Sequence, residues 1–306
     1  HASFLKKRID SILSQTNSDY ELILLDDHSQ DKSRDIIASY RSHPQVSHIV
    51  WSEANSGSPF RQWEKGIRLA AGNWIWIAES DDEADPGFLE AVSGAISHSP
   101  DCGIIYTDGQ VIGEETGFPS KKTFSAIKND FLQTDKWNHA YRQDGPAEIN
   151  ECLKYFCSVN NASSAVMRKD LLLGCLDQLA GYRVHGDWFC YLKLAQQAPV
   201  AYLPFPLAKV RIHASSYINE KKDIVLGKTE HFRILLWLLR LPGVTERRKL
   251  IRFFSEQHLG FGLKDGIRRI ARIKWNYFRL SFTVAVSVLS HICLVKITRK
   301  KIKPVF

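Results

Sequence analysis

The chain has 306 residues, of which 44% are hydrophobic and 24% charged, and a formal net charge of +8. These globular values allow a substantial core, as one large domain with an appendage or two modest domains, and name no chemistry by themselves. Six cysteines, at 102, 152, 157, 175, 190 and 293, show neither CxxC spacing nor a dense framework, which excludes thiolate metal clusters and secreted disulfide scaffolds and fits a reducing cytoplasm.

Phe4, Leu5, Ile9, Ile12 and Leu13 recur at helical spacing, and the turn-prone QTNS at 15–18 closes that segment. The apolar run ELILL at 21–25 predicts a strand that ends on Asp26 and Asp27, followed by the turn HSQDKS. A helix is predicted over 32–40, with Ile36, Ile37 and Tyr40 inward, and a strand over 48–51. The loop 52–59 carries Asn55-Ser56-Gly57 and leads into a helix over 60–71, which Gly72-Asn73 joins to the strand NWIWIA. Pro86 suits the first turn of the next helix, and residues 102–107 form a further strand. This alternation predicts an α/β fold with a mainly parallel, doubly wound sheet. No secretory signal opens the chain. The chain begins at His1 and has Met167 as its one methionine. Because a crossover helix needs a strand before it, the first strand of the sheet is expected upstream of His1.

Residues 108–150 mix polarities and are expected to form a variable insertion with little secondary structure. Helices return from 148, with a short strand at Val166, a helix over 186–195 and strands at 200–203 and 209–212. There is no internal repeat and no low-complexity tract. The charge lies at the far end: residues 245–306 hold 15 Lys and Arg against 3 acids, or +12, leaving −4 for residues 1–244. That region follows an apolar patch at Phe232, Ile234, Leu235, Leu236, Trp237, Leu238 and Leu239, and includes Arg268, Arg269, Arg272, Lys274 and Arg279. The apolar stretch 280–295 contains His291 and falls short of the roughly 20 residues a spanning helix needs. The preferred reading is an interfacial anchor on an anionic lipid surface, peripheral at the inner face of the plasma membrane; the alternative is a helical cap whose charges face water. No nucleic-acid-binding module is present.

The stretch NWIWIAESDDEAD carries the strongest chemical signal. A strand that delivers Glu79, Asp81 and Asp82 together at its carboxyl end gathers repelling charges where a cation would settle them, although a solvated turn has the same composition. The acid pair Asp26 and Asp27 ends another strand in the same way, and ligands of open α/β sheets bind beyond such ends, so the two suggest one crevice. Asp187, in Val184-His185-Gly186-Asp187-Trp188, is either a plain helix N-cap or a general base facing that crevice. His213, at the end of a strand, is either a metal ligand or a surface or core histidine. Arg61 and Lys65, one turn apart, either meet phosphate or a base or form a solvated face. Asn160-Asn161 and the small run after them either let backbone approach a ligand or make a turn.

Taken in order, FLKKRIDSILSQT, YELILLDDHSQDKSRDII, ANSGSPFRQWEKGIRLAAGNWIWIAESDD, NNASSAVMRKD and HGDWFCYLKLAQQAPVAYLPFPLAKVRIHASS resemble a family 2 glycosyltransferase of the GT-A fold over residues 1–217. The resemblance leaves 218–306 as a helical, basic appendage. It implies that Asp26 and Asp27 contact the nucleotide, with Asn55, Gly57, Arg61, Lys65 and Asp82 also on the donor. It places the DxD element on Glu79-Ser80-Asp81, holding Mn²⁺ or Mg²⁺ with help from His213, and the catalytic base on Asp187. The implied donor is a nucleoside-diphosphate sugar of UDP, dTDP or GDP, and the acceptor a hydroxyl of a glycan or lipid-linked molecule in cell-surface polysaccharide synthesis. Transfer would invert the anomeric configuration through an oxocarbenium-like transition state. Glu79 departs from the usual first Asp, and His185-Gly186 stand where an acid commonly precedes the base. A non-catalytic sugar-nucleotide or glycan binding module on the same fold, and a membrane scaffold driven by the tail, are the competing readings.

Overall fold

A computed structural model describes residues 1–113, 123–212 and 221–257. In chain order the elements are α1 Ala2–Leu13, β1 Leu22–Asp26, α2 Ser33–Ser39, β2 Val46–Trp51, α3 Pro59–Leu69, β3 Trp74–Trp76, β4 Glu83–Ala84, α4 Phe88–His98 and β5 Ile104–Ile112. There follow α5 Phe124–Leu132, β6 Tyr141–Gln143, α6 Gly145–Glu148, which runs on as a π turn at Ile149–Leu153, and β7 Ala165–Arg168. The chain continues through α7 Lys169–Leu173, α8 Leu176–Leu179, α9 Gly186–Ala195, β8 Val200–Arg211, α10 Lys221–Arg240 and α11 Arg247–Gln257.

The strands form two sheets. β1 and β2 pair in parallel from Leu22↔Val46 to Asp26↔Trp51. The larger sheet has the order β3-β7-β5-β8-β4, with β6 also on β8. Its long ladder, β5 with β8, is parallel from Ile104↔Val200 to Ile112↔Arg211, and the short ladders of β3, β4, β6 and β7 are antiparallel. α1 joins the two sheets. Its apolar face, Leu5, Ile9 and Ile12, packs with Leu22, Leu24 and Ile37, and Trp76 and Ala78 close against that cluster. Ser11 Oγ accepts the Ala84 N–H at 3.2 Å, and Gln15 Nε2 donates to the Asp85 carbonyl at 2.7 Å. The α/β class expected from the alternating pattern holds.

Three expectations change. The strands expected at 200–203 and 209–212 are one strand, β8, whose register with β5 shifts around Asp108. Pro204 and Pro206 have no N–H for a ladder, so the strand bulges there and leaves Phe205 54% exposed. Residues 108–150 are more ordered than expected. β5 continues to Ile112, and α5, a 3₁₀ turn at Lys136–Asn138, β6 and α6 follow within the described part of that segment. Aromatic burial organises it: Trp137 is buried and donates its indole N–H to Tyr106 Oη at 2.8 Å.

The third change narrows the reading of the tail, whose alternatives are a lipid anchor and a cap on the core: the apolar patch at 232–239 takes the core. Phe232, Ile234, Leu235, Leu236, Leu238 and Leu239 are buried in the main core with Trp188, Phe189 and Leu192 of α9, so this part of α10 has no apolar face to offer a lipid surface. The basic stretch 268–279 and the apolar stretch 280–295 lie outside the described residues. Among the described residues no helix is long and apolar enough to cross a membrane.

Two glycines give opposite predictions for stability. A Cβ on Gly145 would run into the carbonyl oxygens of Ala195 and Ala198, whereas one on Gly94, exposed within α4, would meet nothing within 4 Å. Gly145→Ala is expected to cost about 1–3 kcal/mol through overpacking. Gly94→Ala is expected to gain about 0.5–1 kcal/mol, because alanine holds a helix interior better than glycine. Urea denaturation of the two variants checks both signs.

Candidate active site

The end of β1 divides its two acids between different tasks. Asp26 is 2% exposed, and its Oδ2 accepts from Arg34 Nε at 2.7 Å. Arg34 also donates to the Ser52 carbonyl at 2.9 Å and lies over the Trp51 ring. Burial raises the Asp26 carboxyl, but the hydrogen bonds from Ser29 and Arg34 outweigh it and hold the group below its ordinary value. Asp26 therefore fastens β1 to β2 from inside. Asp27 faces the loop 52–58. It accepts the Ser56 N–H at 2.9 Å, Ser56 Oγ at 2.7 Å and Gln62 Nε2 at 2.5 Å.

Asn55 folds the same loop. Its Nδ2 donates to the Asp27 carbonyl at 3.1 Å while its Oδ1 accepts the Gly57 N–H at 2.8 Å. Gly57 sits at φ +73°, a left-handed turn conformation that side chains resist, with open space around it. Arg61 is exposed, whereas Lys65 turns inward to donate to Ser52 Oγ at 2.8 Å. The two share one side of α3, but they do not act as a matched pair.

The second acidic group follows β3. Trp76 stacks on Phe88 and donates its indole N–H to the Ser163 carbonyl at 2.9 Å, and the Glu79 N–H reaches Ser163 Oγ at 3.1 Å. Asp82, 2% exposed, accepts from Asn161 Nδ2 at 2.7 Å and from the Arg211 N–H at 2.9 Å. Arg211 also binds the Asp81 carbonyl at 2.9 Å and pairs with Glu83. The Asn160-Asn161 segment is thus a support for the acids. It is itself braced by Lys128 of α5, which donates to the Ser158 carbonyl at 3.1 Å and to Asn160 Oδ1 at 2.8 Å. Tyr106, Trp137 and Tyr202 surround that ammonium at 4.8–5.2 Å, and burial pushes it down to about 7 although Asp108 opposes the shift.

The third acid is Asp187, in the first turn of α9. It is half-buried, and burial lifts its carboxyl to about 6, with the charge of Glu230 adding to the rise and the N–H groups of Trp188 and Asp187 itself opposing it. Loop 52–58 and α3 reach this turn. Ser58 Oγ donates to the Tyr182 carbonyl at 3.0 Å, and the Phe60 ring lies where a Cβ on Gly186 would stand, 2.6 Å away. The aromatic ring thus occupies the space that an acid at 186 would need.

Electrostatics ties these groups into one site. Glu79 opens to solvent on a wall otherwise dense with protein, and its carboxyl is pushed well above the ordinary range. Desolvation contributes most, followed by the charges of Asp82, Asp81 and Asp187. Asp82 is raised by burial and Asp81, against the pull of Arg211, Ser163 and Arg8. Arg8 of α1 is 1% exposed, stands 5.0 Å from the Trp76 ring centroid, and makes no hydrogen bond through its guanidinium among the described residues. Burial lowers it to about 10, while Asp82, Glu79, Asp81 and Glu83 raise it, so it is an internal counter-charge to the acidic turn.

His213 lies outside the described residues. Among those described, no three His, Cys, Asp or Glu side chains stand close enough to hold a metal ion. The donor chemistry nevertheless suits a hard divalent cation, because Glu79 and Asp81 offer oxygen and the repulsion that lifts Glu79 is relieved by positive charge. Sequence reasoning overlooked Arg8, Arg34, Arg211 and Glu230. Only Arg8 left a clear signal, three residues after Leu5 and four before Ile12 on the inward face of α1.

The family model described as Glycosyl transferase family 2 matches residues 2–171. An uncharacterized glycosyltransferase of Nostoc sp. is 28% identical over 203 residues, 61% of this chain and 62% of that protein. A poly(ribitol-phosphate) beta-glucosyltransferase of Bacillus spizizenii is 36% identical over 76 residues, 24% of this chain and 12% of that protein. The chain thus spans less than two thirds of the length of these curated relatives. Among solved structures, residues 1–349 of S. aureus TarS in complex with UDP superpose with a TM-score of 0.63 at 14% identity, covering 98% of this chain and 89% of that one. The same protein with UDP-GlcNAc gives 0.61 at 15% identity, covering 94% and 78%. At this identity the likeness establishes the fold, α/β of the GT-A type.

The Phe60–Gly186 contact makes a testable pair. Gly186→Ala is expected to destabilise the chain by about 1–3 kcal/mol, as overpacked sites do. Adding Phe60→Ala should recover part of that loss, read as a coupling energy in a double-mutant cycle of chemical denaturation.

Proposed function

The chain belongs to glycosyl transferase family 2, and on that premise we propose that it transfers a sugar from a nucleoside-diphosphate sugar to a hydroxyl of a glycan or lipid-linked acceptor during cell-surface polysaccharide synthesis. The observation that supports this reading is the packing of loop 52–58 and α3 against the turn bearing Asp187, through Ser58 on the Tyr182 carbonyl and Phe60 on Gly186, together with the influence of the Asp187 charge on Glu79. A base and a diphosphate site must lie together for one carbon to be attacked as its phosphate departs. A UDP-sugar is the favoured donor, since the TarS structures of the same fold were solved with UDP and UDP-GlcNAc. A polymer acceptor is favoured by the poly(ribitol-phosphate) beta-glucosyltransferase relative.

Each residue then has a definite task. Asp27 and Asn55 shape the loop against which the nucleoside lies, and Asp26 holds that loop's floor by pairing with Arg34. Arg61, exposed at the start of α3, is placed to approach the donor from solvent. Glu79 and Asp81 are the residues that would hold Mn²⁺ or Mg²⁺, whose chemistry there is to offset charge on the departing diphosphate. Asp82 keeps the turn in place through Asn161 and Arg211. Asp187 accepts the proton of the acceptor hydroxyl as it attacks the anomeric carbon from the face opposite the leaving group, so configuration inverts. A carboxylate raised to about 6 is still mostly ionised at neutral pH, yet is a stronger base than an ordinary aspartate.

The donor is identified by thermal-shift measurements with UDP, GDP and dTDP, each with and without Mn²⁺, because a ligand that binds only the folded state raises the melting temperature. UDP with Mn²⁺ is expected to give the largest rise. Asp187→Asn should lower turnover by about 10² to 10⁴ while leaving the UDP-induced shift intact. Retained turnover would remove Asp187 from the role of base, whereas donor binding without turnover in the unsubstituted chain would favour a binding module over an enzyme. The rate should also fall as pH drops through about 6, where Asp187 takes up a proton, and a pH–rate profile in buffers of constant ionic strength reads that limb.

A further inference from the structure

We propose that Glu230, on α10, is a positioning residue that fixes the backbone turn carrying Asp187; this rests on the reading of Asp187 as the base. Helix α10 lies beyond residues 1–217, which carry the family resemblance and its implied site residues. Glu230 is nevertheless 1% exposed and spends its carboxylate on three consecutive backbone amides. Its Oε1 accepts the Arg183 N–H at 2.7 Å, and its Oε2 accepts those of Val184 at 2.9 Å and His185 at 2.7 Å. Those amides immediately precede α9, whose second residue is Asp187. A carboxylate in such a concave row of N–H groups makes charge-assisted bonds, stronger than neutral ones.

The rest of α10 grips the same turn. A Cβ on Gly227 would stand 3.0 Å from His185 Nε2, so the helix backbone comes close there. His231 stacks on His185 with centroids 4.0 Å apart, and Arg233 donates to the Gly181 carbonyl while covering the Tyr182 ring at 4.2 Å. On the opposite side Phe60 bars movement at Gly186. The turn is therefore held between α3 and α10, and a shift of about 1 Å at such a group is enough to cost roughly a hundredfold in rate.

Glu230 also acts on Asp187 through space, since its charge raises the Asp187 carboxyl. The other groups coupled to Asp187 are Glu79, which shares the acidic site, and Cys157, Cys190 and Tyr191, which are pushed well above their ordinary values and stay neutral near pH 7. A merely structural glutamate would stabilise the chain without tuning the base. Glu230→Gln separates the two roles, because an amide is nearly isosteric but presents oxygen to only one side of the amide row and turns an NH₂ toward the other.

The test compares the full chain with its E230Q and D187N variants by amide hydrogen exchange and by carbon-detected titration of the Asp187 carboxyl. E230Q is expected to speed exchange at 183–187 by about tenfold, the signature of local loosening, and to move the Asp187 titration to lower pH. With UDP-GlcNAc and Mn²⁺ as the probe and water as the acceptor, kcat for donor hydrolysis should fall about ten- to a hundredfold with KM nearly unchanged. Unchanged exchange and an unchanged Asp187 titration in folded E230Q would overturn the proposal. Should E230Q fail to fold, E230D, whose shorter stem withdraws the carboxylate from the amides while keeping its charge, carries the exchange measurement, and wild-type exchange at 183–187 there overturns the proposal equally. Full turnover in D187N would instead sink the base assignment and leave the exchange result for Glu230 standing.

Discussion

Acids withdrawn from water beside one another are the constraint around which this site is organised. Desolvation first, and the charges of neighbouring acids second, lift Glu79 and Asp82 above their ordinary values, with Asp187 from a distant part of the sequence adding to the rise of Glu79. Such a group persists only where the surrounding backbone leaves it no easier arrangement. The surroundings do that here with dipoles and cations. Asn161 and Arg211 hold Asp82 and the backbone of Asp81, Ser163 anchors the approach to Glu79, and Arg8 lends its charge from beneath Trp76. A cation entering this place would meet a field that already exists.

The parts of the molecule far from the acids follow from the same requirement. Lys128 is an expensive residue to bury, and three aromatic rings and two oxygen acceptors keep it in place so that the 158–161 segment stays under the acidic turn. Phe60 packs the α3 side, whose loop is bound by Asp27, against the turn bearing Asp187, so these two regions are held together. α1 performs a similar service between the two sheets, which share no hydrogen-bonded ladder among the described residues. The site is thus assembled by side chains that cross between elements.

Much of this was legible in the chain itself, and the reasons for the failures are physical. Strand ends marked by Asp26-Asp27 and Glu79-Asp82, and the helix beginning at Gly186, stand out because apolar runs stop abruptly on charge or turn residues. Periodicity breaks down where both faces of an element are buried. The run 232–239 is apolar nearly all round, a pattern shared by a core helix and an interfacial one, and only its contacts with α9 decide between them. Residues 108–150 failed for a different reason: their core is aromatic and polar together, with Tyr106, Trp137, Tyr141 and Glu148 joined by hydrogen bonds that no apolar pattern announces. Glu230 was hidden because a charged residue in a helix ordinarily faces water, and Arg8 was passed over for the same reason although its spacing from Leu5 and Ile12 put it on the inward face.

The bulge in β8 bears on how the protein behaves in company. On one side this strand pairs first with β6 and then with β4, and between those partners lie Pro204, Phe205 and Pro206. Two prolines in three residues delete the amides that a foreign strand would need to add itself to that edge. The interruption therefore acts as a gatekeeper against self-association, at a stretch where the exposed Phe205 would otherwise invite it.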